Sequence, residues 1–519
     1  MKKKIAKWMA IALSISTVFC MTSCFNGDGS SATGGSSQGS TQGSTDGSSQ
    51  GSSGSSTGSE SVLPETIGQE GYYTLTQKTV AGIDITDSFL CNTIYLANGE
   101  AELYSVDFEG AETQTGTYTV SGGTVSIVIG IKTYNYTYDM ATGSMTYSGK
   151  ISKQQVVMTY TYDSTYHKGT VNSGVSFQGA TELFGDDLSK NFYNYCPSVM
   201  MEGSDTMHIW YCANEISSNV TDYVAYRKGT LNDSGKWTFG ERQLVLGPGA
   251  SGTWDSRHTC DPSVVKGVFG WNGETYSYLM SYLGCKTSDC TQNEVGIAVA
   301  KNPEGPYVKV DTINPIANFY TADDYRANGW GYGQPSVISV DKQGKILLFY
   351  TVGSGETYVR VEEWDLSNLA APQKLRTKAV SKMGTTGGFN NADFAYDPGL
   401  QRLYCIKEDT PYPTDGGVNW ISGSNTVCYI DLGNAGLETL FGEYSWNVLG
   451  TVNKNATGFD RNHNSGIMTD GYGQLLNSFK IPVVYTMSDL ASAYPGWNGG
   501  GQWPALHTYR LHGYVFDTK

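Results

Sequence analysis

The chain has 519 residues, a formal net charge of −15 and a sequence pI near 4.9. This length is too great for a single hydrophobic core, so two or more folded units are expected. The acidic balance argues against nucleic acid or another polyanion as a partner, because a phosphate backbone requires a basic surface. A neutral polysaccharide is an easier ligand, and 36 Tyr with 11 Trp offer rings that stack on sugars, although β-rich cores also use aromatics.

The N-terminus resembles a bacterial lipoprotein signal. Lysines at positions 2 to 4 precede an apolar stretch over 5–19, and the segment Met21-Thr22-Ser23 leads to Cys24. Cleavage before Cys24 would leave a lipid-anchored protein at the cell surface or in the periplasm, and an ordinary secretory peptide is the alternative. Residues 25–62 are almost entirely Gly, Ser, Thr, Gln and Asp, a composition typical of a disordered linker.

Residues 63–170 alternate short strand patterns with glycine turn signals. This pattern predicts a small antiparallel β-barrel or sandwich that resembles a lipocalin. No catalytic constellation stands out here, so the expected role is that of a spacer or an accessory binding unit. The predicted strands are 72–76, 93–96, 102–108, 117–120, 124–129, 133–138, 144–147 and 155–161.

Residues 175–519 repeat one short device five times, at intervals of roughly 60 to 75 residues. Each copy has a polar residue, usually a proline and a small residue, and then an apolar run. Units of this length that each hold about four strands predict a five-bladed β-propeller, so the whole chain is expected to be all-β. The copies begin at Cys196-Pro197-Ser198, Asp261-Pro262-Ser263, Gln334-Pro335-Ser336, Asn391-Ala392-Asp393 and His463-Asn464-Ser465.

Second and third strands follow each opener. In the fifth blade we expect a weak second strand over 474–477 and a third strand over 481–487. Because strand direction alternates in a meander, the loops into the first strands share one face with the loops that join second and third strands. That face is the predicted binding pocket. Its candidate substrate-binding residues are Trp254, Asp255, Arg257, His258, Trp330, Tyr332, Gln334, Asn391, Asp222, Arg461 and His463.

Three carboxylates are the candidate catalytic groups. Inverting glycoside hydrolysis needs an acid and a base about 6.5–9.5 Å apart. Asp261 and Asp393 are the preferred pair because both open first strands toward the axis, and Glu294 opens a third strand on the same face. Each has a bland alternative: a turn-forming cap for Asp261, a hydrogen-bonded strand carboxylate for Asp393 and a solvated loop charge for Glu294.

The cysteines give a separate set of expectations. Cys285 and Cys290 have four residues between them and are the predicted disulfide. Cys196, Cys212, Cys260 and Cys405 are expected to be small buried packing residues. No CxxC pair occurs, so a structural zinc site is not predicted. The remaining candidate for an ion is a structural cation in the propeller channel, which His463 would help to hold.

At these residues the chain resembles the five-bladed enzymes of glycoside hydrolase family 43 and its relatives. The resemblance lies in Asp261-Pro262-Ser263, in the strand over 295–300 that runs into Pro303-Glu304-Gly305-Pro306, and in His463. It implies a monomeric enzyme that hydrolyses polysaccharide by inversion. The family's usual carboxylate positions read Cys196, Gln334 and Asn391 to Asp393 here. Either the carboxylates have moved to other blades, or the protein binds glycan without cutting it.

Overall fold

The computed structural model describes residues 66–86, 91–106, 111–151, 153–166, 177, 179–184, 193–214, 221–232, 235–353, 357–380, 389–414, 420–488 and 508–518. The chain divides between residues 166 and 167 into two compact units. The expected signal, Cys24 and the whole linker over 25–62 lie outside the described residues. Within the described ranges, no helix is long and apolar enough to cross a membrane.

The first unit is a closed antiparallel barrel. Consecutive strands pair in one continuous ladder from β3 to β9, β1 pairs with both β3 and β9, and the short β2 pairs only with β1. The sequence left open a barrel or a sandwich, and the pairing of β1 with β9 makes it a barrel. The strands are β1 (Gly71–Val80), β2 (Ile83–Asp84), β3 (Cys91–Ala97), β4 (Glu100–Val106), β5 (Ala111–Ser121), β6 (Thr124–Ile129), β7 (Lys132–Asp139), β8 (Ser144–Ile151) and β9 (Gln154–Tyr162).

Alternation along each strand fills the barrel interior with apolar side chains. In β7, Tyr134, Tyr136 and Tyr138 are buried while the intervening residues are exposed. Ile127 on the neighbouring strand is fully buried in the same cluster. The barrel core is therefore packed with aromatic and branched residues.

The second unit is the five-bladed propeller that the repeat predicts. The short β10 (Thr181–Glu182) comes first. Blade 1 contains β11 (Tyr195–Glu202), β12 (Thr206–Asn214), β13 (Asp222–Leu231), β14 (Trp237–Phe239) and β15 (Gln243–Leu246). Blade 2 contains β16 (His258–Trp271), β17 (Glu274–Cys285), β18 (Glu294–Ala300) and β19 (Val308–Lys309). Blade 3 contains β20 (Gly331–Ser339), β21 (Lys345–Gly353), β22 (Thr357–Asp365) and β23 (Gln373–Ala379).

Blades 4 and 5 complete the circle. Blade 4 contains β24 (Asp393–Asp397), β25 (Arg402–Glu408), β26 (Asn425–Asp431) and β27 (Asn447–Val452). A 3₁₀ segment (Gly433–Phe441) and the short helix α1 (Lys454–Thr457) lie in its connections. Blade 5 contains β28 (Arg461–Thr469), β29 (Lys480–Ser488) and β30 (Arg510–Asp517).

The fifth blade differs from the sequence expectation. The run over 481–487 lies in the second strand rather than the third, the third strand is β30, and β10 supplies the outermost strand by pairing with it. The run over 474–477 lies in the connection between β28 and β29. The earliest strand of the unit therefore completes the last blade, a long-range pairing that local patterns do not reveal.

The repeated opener places one residue of each blade in left-handed backbone. Cys196, Asp261, Gln334, Asn391 and Asn464 have φ between 40° and 49°. In blades 1, 2, 3 and 5 the pairing with the second strand shifts register at this point, as a β-bulge does. Non-glycine residues rarely adopt this conformation, and it re-aims the side chain. We call these five residues the axial ring.

The residue two positions after each axial-ring residue joins its blade to the next one. Ser198 Oγ accepts the N–H of Val264 at 3.1 Å, and Ser263 Oγ accepts that of Val337 at 3.0 Å. Ser336 Oγ likewise accepts the N–H of Phe394 at 3.1 Å, and Asp393 Oδ2 accepts the N–H of Ile467 at 2.7 Å. We call these four side chains the inter-blade clamp; they explain the small polar residue of the motif.

The junction of blades 5 and 1 uses backbone instead of a side-chain clamp. β28 and β11 pair in parallel, with Val199 opposite Met468. The fifth position of the series is Gly466, where a Cβ would lie 2.3 Å from the carbonyl oxygen of Pro197. Only glycine allows the two backbones to approach so closely.

Apolar faces hold the blades together. Phe349 of blade 3 and Phe394 of blade 4 stack with ring centroids 4.1 Å apart. Trp210 of blade 1 is fully buried, and its indole N–H donates to the carbonyl of Pro303, which follows blade 2, at 3.0 Å. Each such aromatic contributes about 3–5 kcal/mol relative to alanine at the same position.

One disulfide joins blades 1 and 2. Cys212 and Cys260 are bonded, with Cα atoms 5.2 Å apart and 48 residues of sequence separation. Constraining a loop of this length in the unfolded chain is worth about 4 kcal/mol in the chain-entropy model. The expectation that Cys212 and Cys260 are mere packing residues is therefore wrong. The predicted Cys285–Cys290 disulfide is also wrong, because both are free thiols.

Candidate functional site

The axial ring surrounds the propeller axis on the face predicted from strand direction. A small cavity of about 30 Å³ is lined by the opener residues, among them Cys196, Gln334, Asn391 and Asn464. The amides bond one another: Asn464 Oδ1 accepts from Gln334 Nε2 at 2.9 Å and from Asn391 Nδ2 at 2.7 Å. Of the five ring residues, only Asp261 carries a carboxylate.

Asp261 is buried, with 4% of its surface exposed. Its Oδ1 lies 3.2 Å from Cys260 Sγ and 3.5 Å from Cys212 Sγ. Disulfide sulfurs carry no proton, so only a protonated Asp261 can hydrogen-bond to them, as the donor. Burial is the main reason why the pKa of Asp261 is raised to about 7. The hydrogen bond from the Cys196 thiol lowers this pKa, and the nearby Asp222 raises it. Near neutral pH this carboxyl therefore carries a proton that it can give up.

Asp222 and His258 form a buried carboxylate–imidazole pair beside Asp261. Asp222 begins the third strand of blade 1 and His258 begins the first strand of blade 2, and Asp222 Oδ2 lies 2.9 Å from His258 Nδ1. Burial lowers the pKa of His258, but the hydrogen bond and charge of Asp222 outweigh it and raise that pKa. Asp222 Oδ1 is buried and has no partner among the described residues. The sequence placed both residues in the pocket, and the fold pairs them.

Glu408 and His463 form a second such pair. Glu408 Oε1 contacts His463 Nδ1 and accepts the backbone N–H of Asn464 at 2.8 Å. Its Oε2 accepts from Asn391 Nδ2 at 2.7 Å and from the Tyr412 hydroxyl. With four donors around a fully buried carboxylate, Glu408 fixes the axial ring and has little capacity left to act on a ligand.

Sequence reasoning missed Glu408, although a usable signal was present. Glu408 directly follows the predicted second strand of blade 4, and the ends of second strands lie on the pocket face. The same strand-direction rule that selected Asp222 therefore points to it.

Three tyrosines form an aromatic wall next to Asp222. Tyr193 packs edge-on against Tyr195 with centroids 4.9 Å apart and stacks on Tyr509 at 5.9 Å. Burial, with the nearby charge of Asp222, raises the pKa of Tyr193 and Tyr195 well above the usual range. The wall consequently presents neutral phenols beside an acidic pair.

Asp393, predicted as the second catalytic carboxylate, has another role in the structure. One oxygen accepts from Ser336 Oγ at 2.6 Å and the other accepts from Ile467 N at 2.7 Å, as part of the inter-blade clamp. Burial raises the pKa of Asp393 to about 6. Both oxygens accept hydrogen bonds from neighbouring blades, which gives Asp393 a structural role, and its catalytic role stays a prediction.

Glu294, predicted as the third catalytic residue, bonds to a loop. Its Oε1 accepts the backbone N–H of Phe319 at 2.9 Å, and burial raises its pKa to about 7. Hydrogen bonds from the backbone N–H groups of Phe319 and Tyr320 lower the pKa of Glu294 and so oppose this rise. Glu294 thus holds the segment before blade 3 and makes no described contact with Asp261 or Asp222.

Several predicted sugar-binding residues are occupied elsewhere. Asp255 accepts from Thr253 Oγ1 at 2.9 Å, from Tyr282 Oη at 3.1 Å and from the Lys309 ammonium, which directs it into blade 2. Trp254 stacks on Tyr282 with centroids 5.6 Å apart. Tyr332 is 1% exposed.

Tyr332 belongs to a polar group of blade 3 with Asp324 and Arg360. Its hydroxyl donates to Asp324, and Arg360 Nη2 lies 3.0 Å from the other oxygen of that carboxylate. Trp330 packs against Gly333 and Gly353 and is partly exposed. Arg257 keeps a buried Nε without a partner among the described residues, and Arg461 is 2% exposed at the start of β28.

Comparison with known proteins gives likenesses among solved structures only. No family model matches the chain, and no curated protein matches it. An α-L-arabinofuranosidase from Podospora anserina, solved with cellotriose, is 13% identical with a TM-score of 0.43, covering 68% of this chain and 98% of that one. A family 117 glycoside hydrolase from Zobellia galactanivorans is 10% identical with a TM-score of 0.41, covering 66% and 90%.

A thermostable family-43 glycoside hydrolase is 14% identical with a TM-score of 0.36, covering 63% of this chain and 89% of that one. These similar structures are glycoside hydrolases, as the sequence resemblance leads one to expect. The assignment of a five-bladed propeller rests on the sheet topology of this chain.

Proposed function

We propose that this protein is a glycoside hydrolase whose site is the axial end of the propeller around Asp261. The observation that carries the proposal is the position of Asp261. It is the one carboxylate among five equivalent ring residues, burial raises its pKa to about 7, and the nearby Asp222 raises that pKa further. Cleavage of a glycosidic bond needs such a pair, one carboxyl protonated and one ionised.

In this proposal Asp261 is the general acid. It donates its proton to the glycosidic oxygen as the bond to the anomeric carbon breaks, so the leaving sugar departs as a neutral alcohol. The Cys196 thiol and the backbone N–H of Gln334 hydrogen-bond to the carboxylate that forms and stabilise it after transfer.

Asp222 is the proposed general base. His258 holds Oδ2, and the free Oδ1 takes a proton from the attacking water on the other side of the sugar ring. Water attack without a covalent intermediate gives inversion at the anomeric carbon. In this proposal Asp222 takes the place of Asp393 in the pair that the sequence suggested, because both Asp393 oxygens already accept hydrogen bonds from neighbouring blades.

A second candidate function is glycan binding without cleavage. The amides of Gln334, Asn391 and Asn464 and the Cys196 thiol occupy four ring positions and carry no charge. Such groups bind sugar hydroxyls without supplying an acid or a base. A protein that captures oligosaccharide for another enzyme would use the same ring.

The test is incubation of the full-length protein with plant, microbial and host polysaccharides, with released sugars separated by chromatography. We expect product from one class, and no product from Asp261→Asn or Asp222→Asn. Glu304→Gln is the control, because Glu304 follows a third strand and lies on the opposite face. Binding without product in every arm would favour the second candidate.

The stereochemistry is a separate readout. NMR of the first product anomer is expected to show inversion. Retention would exclude the roles given to Asp261 and Asp222, even for an active enzyme, because retention by the usual route needs a nucleophilic carboxylate.

The substrate polymer places the proposed activity outside the cytoplasm. We propose that the protein is exported and anchored through a lipid on Cys24, with the linker over 25–62 holding the folded units away from the membrane. Metabolic labelling with a fatty acid analogue, lost in Cys24→Ala, would support this anchoring. Unchanged labelling in that variant would contradict it.

A further inference from the structure

The pocket face holds two free thiols and one imidazole that the proposed reaction does not use as reacting groups. Cys285 ends the second strand of blade 2, Cys290 lies in the following loop, and His258 begins the first strand of the same blade. One potential ligand atom from each lies within 4.8 Å of the others. His258 is 1% exposed and Cys285 is fully buried, while Cys290 is partly exposed.

The two nitrogens of His258 have different surroundings. Nδ1 faces Asp222 Oδ2 at 2.9 Å. Nε2 is buried and has no hydrogen-bond partner among the described residues. A buried ring nitrogen without a partner is costly, so it calls for a group that the protein chain does not provide.

We propose that His258, Cys285 and Cys290 form a binding site for one thiophilic cation, of which Zn²⁺ is the probe of choice. His258 binds through Nε2 and each cysteine through its thiolate. Zinc takes such ligands at about 2.3 Å for sulfur and about 2.0–2.1 Å for nitrogen, in a tetrahedral arrangement. One ring nitrogen of His258 and the two sulfurs already lie within 4.8 Å of one another, so small side-chain movements would complete the site.

Asp222 supplies the support that such a site needs behind the histidine. A carboxylate that accepts the N–H of the nitrogen not bound to metal fixes the tautomer and the ring orientation. The Asp222–His258 pair suits this arrangement, because Nδ1 lies 2.9 Å from the carboxylate and a proton on Nδ1 leaves Nε2 for the cation. The cation would thus tie the loop after β17 to the residue that begins β13.

The neighbouring sulfurs are not part of this site. Cys212 and Cys260 also lie close to a carboxylate, that of Asp261, but they form a disulfide and offer no thiolate. At the pocket, Cys212 and Cys260 are therefore oxidised to a disulfide, whereas Cys285 and Cys290 remain thiols next to the His258 imidazole. Two thiolates and one imidazole favour Zn²⁺ or Cu(I) over the hard cations that bind oxygen.

Binding has a defined proton balance. Each thiol loses its proton to solvent when the thiolate binds the cation, a protonated His258 also loses its Nε2 proton, and no electron is transferred. Up to three protons are therefore released per cation bound. Titration calorimetry in buffers of different ionisation enthalpy measures that number.

The direct test uses the full-length protein, purified with its free thiols reduced and free of metal, and titrated with Zn²⁺ without any sugar. We expect one Zn²⁺ per chain in the wild type, and protection of two thiols from a thiol reagent. Cys285→Ser and Cys290→Ser should each weaken binding at least 100-fold. Asp222→Asn should weaken it by about 10- to 100-fold, the range for a supporting carboxylate.

Cys91→Ser is the matched control. Cys91 is a buried thiol of the barrel whose Sγ lies 2.9 Å from the Tyr166 hydroxyl, a contact that serine can keep. This variant should bind one Zn²⁺ with unchanged affinity. Circular dichroism confirms that each variant is folded, so that lost binding is not mistaken for unfolding.

Three results would overturn the proposal. They are the absence of Zn²⁺ binding by folded, reduced protein, unchanged binding in Cys290→Ser, and a Cys285–Cys290 disulfide found by peptide mass spectrometry of the exported protein. None of these measurements includes a glycan, so the metal site and the glycosidase proposal can fail independently.

Discussion

The two folded units are both closed β structures, but they close in different ways. In the barrel, every neighbouring strand pairs by backbone hydrogen bonds until β1 meets β9. In the propeller, separate sheets pack side by side, and four of the five junctions are made by a side-chain clamp. At the junction of blades 5 and 1 the first strands instead pair in parallel through their backbones.

This difference decides where polar chemistry collects. A barrel of eight paired strands turns alternate side chains into a narrow interior, which Tyr136, Ile127 and their neighbours fill. A propeller brings the start of every blade to one axis, where five left-handed residues and two buried carboxylate–imidazole pairs meet. The repeated blades thus create a polar site at the propeller axis, whereas the interior of the barrel is filled by apolar side chains.

The largest predicted effect is on activity. Asp261→Asn removes the proposed acid and should lower kcat/KM by about 10²- to 10⁴-fold, the usual value of general acid catalysis. Asp393→Asn is the matched control, since it is also an axial carboxylate with a raised pKa but belongs to the clamp. Comparable losses in both variants would contradict the separation of site and clamp.

A core substitution in each unit tests whether the two closures are independent. Ile127→Ala in the barrel and Ile406→Ala in the propeller each remove a fully buried side chain, at an expected cost of about 2–5 kcal/mol. Calorimetry should show two unfolding transitions, with each variant lowering the Tm of only one. If both transitions moved together, the units would be a single cooperative structure.

The inter-blade clamp gives a smaller effect. Asp393→Ala leaves the buried N–H of Ile467 without an acceptor and should cost about 1–3 kcal/mol in denaturant unfolding. Ser263→Ala removes a neutral acceptor from Val337 N and should cost less, about 0.5–1.5 kcal/mol. Only the propeller transition should respond. The reverse order of the two losses would argue against a charge-assisted clamp at Asp393.

The last predicted effect is a pH slope. Asp261 keeps its proton up to about pH 7 in the folded protein, whereas an unfolded aspartate loses it near about pH 3.9. Between these values the folded state binds more protons, so this group stabilises the fold at low pH and loses that contribution as pH rises. The unfolding free energy of wild type minus that of Asp261→Asn should fall by at most about 1.4 kcal/mol per pH unit.

The barrel provides the contrast for this slope. Its shifted carboxyls, Asp84 and Asp139, have lowered pKa values, first because of side-chain hydrogen bonds from Thr86 and Thr142. Their contribution is lost as pH falls rather than as it rises. A difference curve for Asp261→Asn that is flat from pH 4 to 7 would contradict the raised pKa of Asp261.

Much of the fold could be predicted because the signals are local. Alternating apolar residues predicted the strands of the barrel, and the five repeated openers, three of them with Pro-Ser, predicted five blades. The last blade was mispredicted because its outer strand, β10, precedes β11 by only a short stretch and pairs with β30 at the other end of the unit. No periodicity within blade 5 carries that information.

The site was predicted only in part. Strand direction placed Asp222, His258, Asp261 and His463 on one face, and the structure brings them together there. Strand direction did not reveal that both oxygens of Asp393 accept bonds from neighbouring blades, or that Asp255 accepts a bond from Lys309. Such contacts depend on side-chain positions in other blades, which strand parity does not specify.

By itself, the sequence determined the class of each unit, because hydrophobic alternation and the repeat period act over a few residues and fix which face of a strand is buried. Only the tertiary structure decided which cysteines pair, which carboxylate keeps its proton, and which imidazole nitrogen stays free. Those outcomes depend on burial and on distances between different elements, as between Cys212 and Cys260 or between Asp222 and His258.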